Sequence, residues 1–142
     1  MSANQTKAPL SLPTNPADFS PPPVYATPDD LGRLRELARW GAGETWGASL
    51  LLREIERISD DVASAGAPFA RLGSEVTYKD LGTKRIHRVR LTESRAGKSH
   101  TGAVSVLSVL GAALIGLQEG AIFRWMEPDG RFRAVKVLAV EA

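Results

Sequence analysis

The chain has 142 residues, 43% of them hydrophobic and 24% charged, with a formal net charge of +2. That length suits one domain with a small appendage, and the apolar fraction allows a core. With no cysteine, disulfides and thiolate metal sites are excluded, no apolar run reaches membrane-spanning length, and the N-terminus lacks the apolar centre of a secretory signal, so a cytoplasmic protein is expected.

The charge is unevenly placed. Residues 28–66 carry eight acids against five arginines, and residues 71–142 carry twelve lysines or arginines against seven acids. Such asymmetry can orient a protein on a patterned partner, although it is too weak by itself to announce nucleic-acid binding.

Six of the nine prolines lie in residues 1–26, where charge is nearly absent and no periodicity survives. A disordered, polyproline-like arm is expected there. Thr27-Pro28-Asp29-Asp30 starts a helix, with threonine as cap and proline in the first helical position. Leu31, Leu34, Ala38 and Gly41 continue it, the pattern breaks at Gly41-Ala42-Gly43, and Ala48, Leu51, Ile55, Ile58 and Val62 resume it. Matching apolar seams around a glycine turn predict an antiparallel helical hairpin over 27–66. Trp40 and Trp46 flank its tip, either as a clasp that adds burial to a short hairpin or as exposed anchors for a partner.

Ser64 to Pro68 reads as a linker, and residues 71–142 form the remaining domain. Strands are expected at Glu75–Asp80, Lys84–Leu91, Val104–Val106, Ile122–Met126 and Phe132–Val140. Ile86 is out of phase with Val89 and Leu91, which a bulge near His87 would repair. Glu127-Pro128-Asp129-Gly130 is a turn. In Val104–Gly120, Ser108 stands where an N-cap oxygen is wanted. Leu110, Ala113, Leu114 and Leu117 then form one apolar stripe, and Gly116 and Gly120 end the helix. The fold class is α+β: a helical hairpin followed by a mostly antiparallel five-strand sheet with one helix on its face.

The segment Val104–Gly120 also resembles the C-terminal signature of the GreA/GreB transcription factors and their shorter Rnk-like relatives, "ISV-x-SP-x-x-x-AL-x-G-x-x-x-GD". Ser105, Val106, Ser108, Ala113, Leu114, Gly116 and Gly120 fit it, while Val109 replaces its proline and Ala121 its aspartate. Gly73-Ser74-Glu75-Val76-Thr77-Tyr78 resembles the start of the same domain. The resemblance implies an FKBP-like domain over 71–142. It implies binding to RNA polymerase, on the largest-subunit rim near the secondary channel, with the hairpin pointing inward. The turn Leu107-Ser108-Val109 corresponds to the family's rim-contacting surface, and the hairpin tip with Trp40, Glu44 and Trp46 completes the candidate partner-binding set. In the cleavage factors of this family, tip acids help to hold a catalytic magnesium, because a hard cation takes oxygen ligands. Here only Glu44 is acidic, so a non-catalytic, Rnk-like regulator that competes with other channel factors is expected rather than a cleavage factor.

Lys84, Arg85, Arg88, Arg90, Arg95 and Lys98 form the densest basic run, which could meet phosphate or an acidic protein surface. No RNA-binding aromatic motif accompanies it, so direct nucleic-acid contact is expected to be weak. His87 and His100 lack metal-ligand spacing, no nucleophile elbow surrounds Ser108, and Gly97-Lys98-Ser99 lacks the earlier glycine of a phosphate loop. No catalytic residue, metal or cofactor is expected, and no membrane partner.

Overall fold

The computed structural model describes residues 21–41, 45–93 and 102–142. Its elements, in chain order, are β1 (Val24–Tyr25), α1 (Pro28–Gly41), α2 (Trp46–Ile55), β2 (Ile58–Ser59), a 3-10 turn (Val62–Ser64), β3 (Glu75–Asp80), β4 (Ile86–Thr92), β5 (Ala103–Ser105), α3 (Val109–Leu114), β6 (Ile122–Met126) and β7 (Phe132–Glu141). The fold is α+β, as expected.

Residues 1–20 lie outside the described residues, but the arm reading ends before residue 26. Val24 and Ala26 are buried, and β1 pairs in parallel with β2. Polyproline composition does not decide these residues, because two apolar side chains here find core neighbours. On the other side, Val24 bridges Leu117 and the Tyr25 N–H donates to the Gly116 carbonyl at 3.0 Å.

Helix α1 starts as its sequence dictates: Thr27 Oγ1 accepts from the Asp30 N–H at 3.2 Å, with Asp29 and Asp30 in the first turn and Arg39 in the last, matching the helix dipole. Helix α2 is capped by Thr45, whose hydroxyl accepts from the Ala48 N–H at 3.0 Å. The two helices pack closely at Gly41, where an added Cβ would come 2.9 Å from the Ala48 Cβ. The second helix is shorter than its seam predicts, ending at Ile55. Asp60 and Asp61 oppose the negative end of a longer helix, Ile58 is taken by β2 instead, and Val62 is exposed in the 3-10 turn.

The main sheet has strand order β5-β4-β3-β7-β6. All its pairs are antiparallel except β4 with β5. No bulge lies at His87: β4 runs in regular register with β3 from Ile86 to Arg90. Ile86 is out of phase because it faces solvent, being 62% exposed. The irregularity falls instead between Thr77 and Tyr78, in the pairing with β7.

Helix α3 is also shorter than its stripe. It ends at Leu114, and Ile115 is already extended. Gly116 turns the chain at φ +84°, where an added Cβ would lie 2.9 Å from the Tyr25 carbonyl oxygen. Leu117 is buried all the same, since the segment after α3 runs between Val24–Tyr25 and Phe69–Ala70. One core holds Leu34, Leu37 and Leu51 from the helix pair together with Leu114, Val76, Leu91, Val135 and Val137. Each such side chain contributes about 1.5–3 kcal/mol by burial.

Candidate functional site

The turn Leu107-Ser108-Val109 joins β5 to α3, and serines build it. Ser105 Oγ accepts from the Leu107 N–H at 3.0 Å. The Ser108 hydroxyl donates to the Ser105 carbonyl at 2.6 Å and accepts from the Gly111 N–H at 3.1 Å. Ser108 is therefore the N-cap of α3, with its hydroxyl engaged inside the turn. Val109 holds the first helical position, so the helix itself sets the backbone angle that a proline would fix.

The turn is half-buried because the helix pair lies against it. At Gly47 an added Cβ would sit 2.6 Å from the Ser108 carbonyl carbon and 2.8 Å from the Val109 nitrogen, and nearer still to the Leu107 oxygen. At Gly41 an added Cβ would lie 3.7 Å from Leu107 Cδ2. Leu107 thus touches the end of α1 and the start of α2. The structure brings the turn together with the glycines beside Trp40 and Trp46, although about 60 residues separate them in sequence.

Both tryptophans are exposed, Trp40 by 60% and Trp46 by 45%. The Trp46 indole is oriented by a hydrogen bond from Nε1 to the Met126 carbonyl at 2.9 Å. Trp46 is therefore tied to the edge of the sheet by its indole N–H, a link between helix and strand that leaves its ring exposed. Glu44 lies outside the described residues. Among the described residues there is no group of three or more His, Asp or Glu placed to hold a metal ion.

A groove of about 320 Å³ runs beside this surface, between α2 and β6, lined in part by Leu50, Arg53, Glu54, Arg57, Phe123 and Arg124. Glu54 is buried. Desolvation raises its carboxyl above the usual value, against the pull of Arg57, whose Nε donates to it at 2.8 Å. Arg57 also stacks over Phe123 at 5.4 Å. This pair ties α2 to the sheet.

Among the described residues, Lys84, Arg85, Arg88 and Arg90 do not form one patch. Arg95, Lys98 and His100 lie outside the described residues. Arg88 meets Glu75 at 3.0 Å and Glu141 at 3.8 Å, and Arg90 meets Glu75 at 3.7 Å. Lys84 and Arg85 stand apart, in a turn built by Asp80, whose Oδ1 accepts from the Gly82 and Thr83 N–H groups at 2.8 and 3.1 Å. Burial pushes the Asp80 carboxyl up, but those N–H groups and Arg133 outweigh it, and the net position is below the usual value. His87 stacks on Tyr78 with ring centres 5.3 Å apart.

Two contributors escape a reading by pattern. Thr45 caps α2 from within the stretch read as hairpin tip, and its signal is an N-cap hydroxyl three residues before Ala48. Gly47 permits the close approach of helix and turn, and no local pattern marks it.

Residues 65–142 match the family described as transcription elongation factor GreA/GreB, C-terminal. A transcription elongation factor GreA of Syntrophobacter fumaroxidans is 37% identical over 71 residues, which is 50% of this chain and 45% of that protein. The chain thus spans less than half the length of that curated relative. Among solved structures, a prokaryotic transcription elongation factor GreA/GreB from Nitrosomonas europaea superposes with a TM-score of 0.60 at 21% identity, covering 85% of this chain and 99% of that one. This likeness extends over the helix pair as well as the sheet.

Proposed function

Because the chain belongs to the GreA/GreB transcription elongation factor family through residues 65–142, we propose that it binds RNA polymerase and regulates elongation with no chemistry of its own. Docking is on the largest-subunit rim near the secondary channel, through Leu107–Val109 and the adjoining Trp40 and Trp46. The protein then acts in the cytoplasm, by excluding other factors from the channel entrance, as an Rnk-like member of the family with an FKBP-like C-terminal domain.

One observation carries this reading: Leu107 is seated against Gly41 and Gly47, so the turn and the facing ends of α1 and α2 form one surface. The same packing argues against a long probe. Helix α1 has 14 residues and α2 has 10, about 21 and 15 Å. Their buried faces share the core of the sheet, so little of that length projects. A cleavage factor needs several carboxylates on a reaching tip to place a magnesium ion, and the tip sequence offers Glu44 alone. Direct nucleic-acid binding through the basic run is a weaker reading, since Arg88 and Arg90 already face Glu75.

Co-purification with core RNA polymerase at low salt tests the proposal. The parent chain is retained, and Trp40→Ala with Trp46→Ala reduces retention at least about tenfold, as for exposed aromatic anchors. Absence of retention of the parent overturns it. In an arrested elongation complex, added protein leaves transcript length unchanged; shortened transcripts restore the cleavage reading.

A further inference from the structure

The face of the sheet turned away from α3 carries an arrangement that neither the fold nor the polymerase reading explains. Lys79 on β3 lies directly opposite Lys136 on β7. Lys79 is opposite Ile86 on β4, and Lys136 is opposite Ile122 on β6. The row Ile86–Lys79–Lys136–Ile122 therefore crosses four strands in register. Lys79, Lys136 and Ile122 stand on the outer face, because their chain neighbours Tyr78, Val135, Val137 and Phe123 are buried on the other, and Ile86 joins them as the register partner of Lys79. Ile86 is 62% exposed and Ile122 48%.

Like charges opposite one another weaken a sheet. Neither lysine side chain forms an ion pair or hydrogen bond among the described residues. The arginines of the same face are treated differently, Arg88 and Arg90 being matched to Glu75. Protection of a sheet edge does not account for the lysines either, because β3 and β7 are interior strands. An unmatched lysine pair between two exposed isoleucines is the pattern of a surface completed by a partner.

We propose that this row is a docking surface for an acidic amphipathic helix of a protein partner, separate from the Leu107–Val109 turn. The row spans three strand spacings, about 14 Å, or two to three turns of helix. Apolar residues at the ends of such a stretch meet Ile86 and Ile122, and acids between them meet the lysines. A nucleic-acid strand fits less well. Its bases need open aromatic faces, and the exposed ring of this face, Phe132, is already covered by the Arg124 guanidinium at 4.0 Å.

The test uses the full chain, labelled with nitrogen-15, and a synthetic helical peptide of about 18 residues, ~27 Å long, with leucine and glutamate on one face. The expected result is saturable binding with amide shifts centred on Lys79, Ile86, Ile122 and Lys136. Lys79→Thr with Lys136→Thr weakens binding at least about tenfold, and so does Ile86→Thr with Ile122→Thr. Lys136→Thr alone melts at the parent temperature or about 1–3 °C above it, because a repulsive pair is removed; its weaker binding is then not a folding defect. The proposal is overturned if the shifts fall on another face, or if a scrambled peptide or polyglutamate binds equally well. Tighter binding of an oligouridylate RNA, or a lower melting temperature for Lys136→Thr, also overturns it.

Discussion

Gly47, at the start of α2, lies against the backbone of Leu107 so closely that no side chain fits between them. A tertiary contact of this kind fixes the helix pair on the turn before α3 and makes one surface of two distant segments. Gly47→Ala must push the helix away from the turn. Overpacking against backbone costs about 1–3 kcal/mol, so chemical unfolding shows a loss in that range. Trp46 fluorescence also changes, since its bond to Met126 depends on the same placement.

Val24 is buried between Ile58 and Leu117. Val24→Ala removes about two methylene equivalents, at ~0.8 kcal/mol each, and leaves a small cavity. Unfolding in urea loses about 2 kcal/mol. An unchanged midpoint contradicts the burial of this segment.

Lys84 has φ +68° without being glycine. A left-handed backbone costs roughly 1–2 kcal/mol for most residues, so Lys84→Gly relieves strain despite its greater freedom when unfolded. A small net gain is expected, about 0.5–1 kcal/mol, seen as a higher melting temperature.

Asp80 holds its turn through two N–H groups and meets Arg133 at 3.1 Å. Its carboxyl lies below the usual value in the folded state. Its contribution is thus fully present above the unfolded value of about 3.9 and is lost as pH falls through the lower folded one. Asp80→Asn keeps an acceptor for the turn but gives up the charge. The variant is less stable than the parent by about 1 kcal/mol at pH 7, and the gap narrows as pH drops below about 4.

Much of this architecture is legible in the sequence where local chemistry decides it. Thr27, Pro28 and Ser108 mark helix starts, and alternation marks β3. Legibility fails where distant residues intervene. The apolar stripes continue past the ends of α2 and α3 because Ile58 and Leu117 are buried too, but as extended segments paired with Val24. The phase of Ile86 suggests a bulge because period alone cannot separate a distorted strand from an exposed isoleucine. At the candidate site, the turn is readable from its motif. Its union with the facing ends of α1 and α2 depends on Gly47, and the Lys79–Lys136 pair depends on a register shift between β3 and β7; neither is visible without the tertiary contacts.

The central claim is tested most directly by the anisotropy of the fluorescently labelled full chain titrated with core RNA polymerase, followed by competition with an unlabelled GreA-type cleavage factor. The account predicts saturable binding at micromolar or lower concentration, about −8 kcal/mol or stronger, and full displacement by the competitor. No change in anisotropy up to tens of micromolar polymerase, or binding that the competitor leaves untouched, would contradict it.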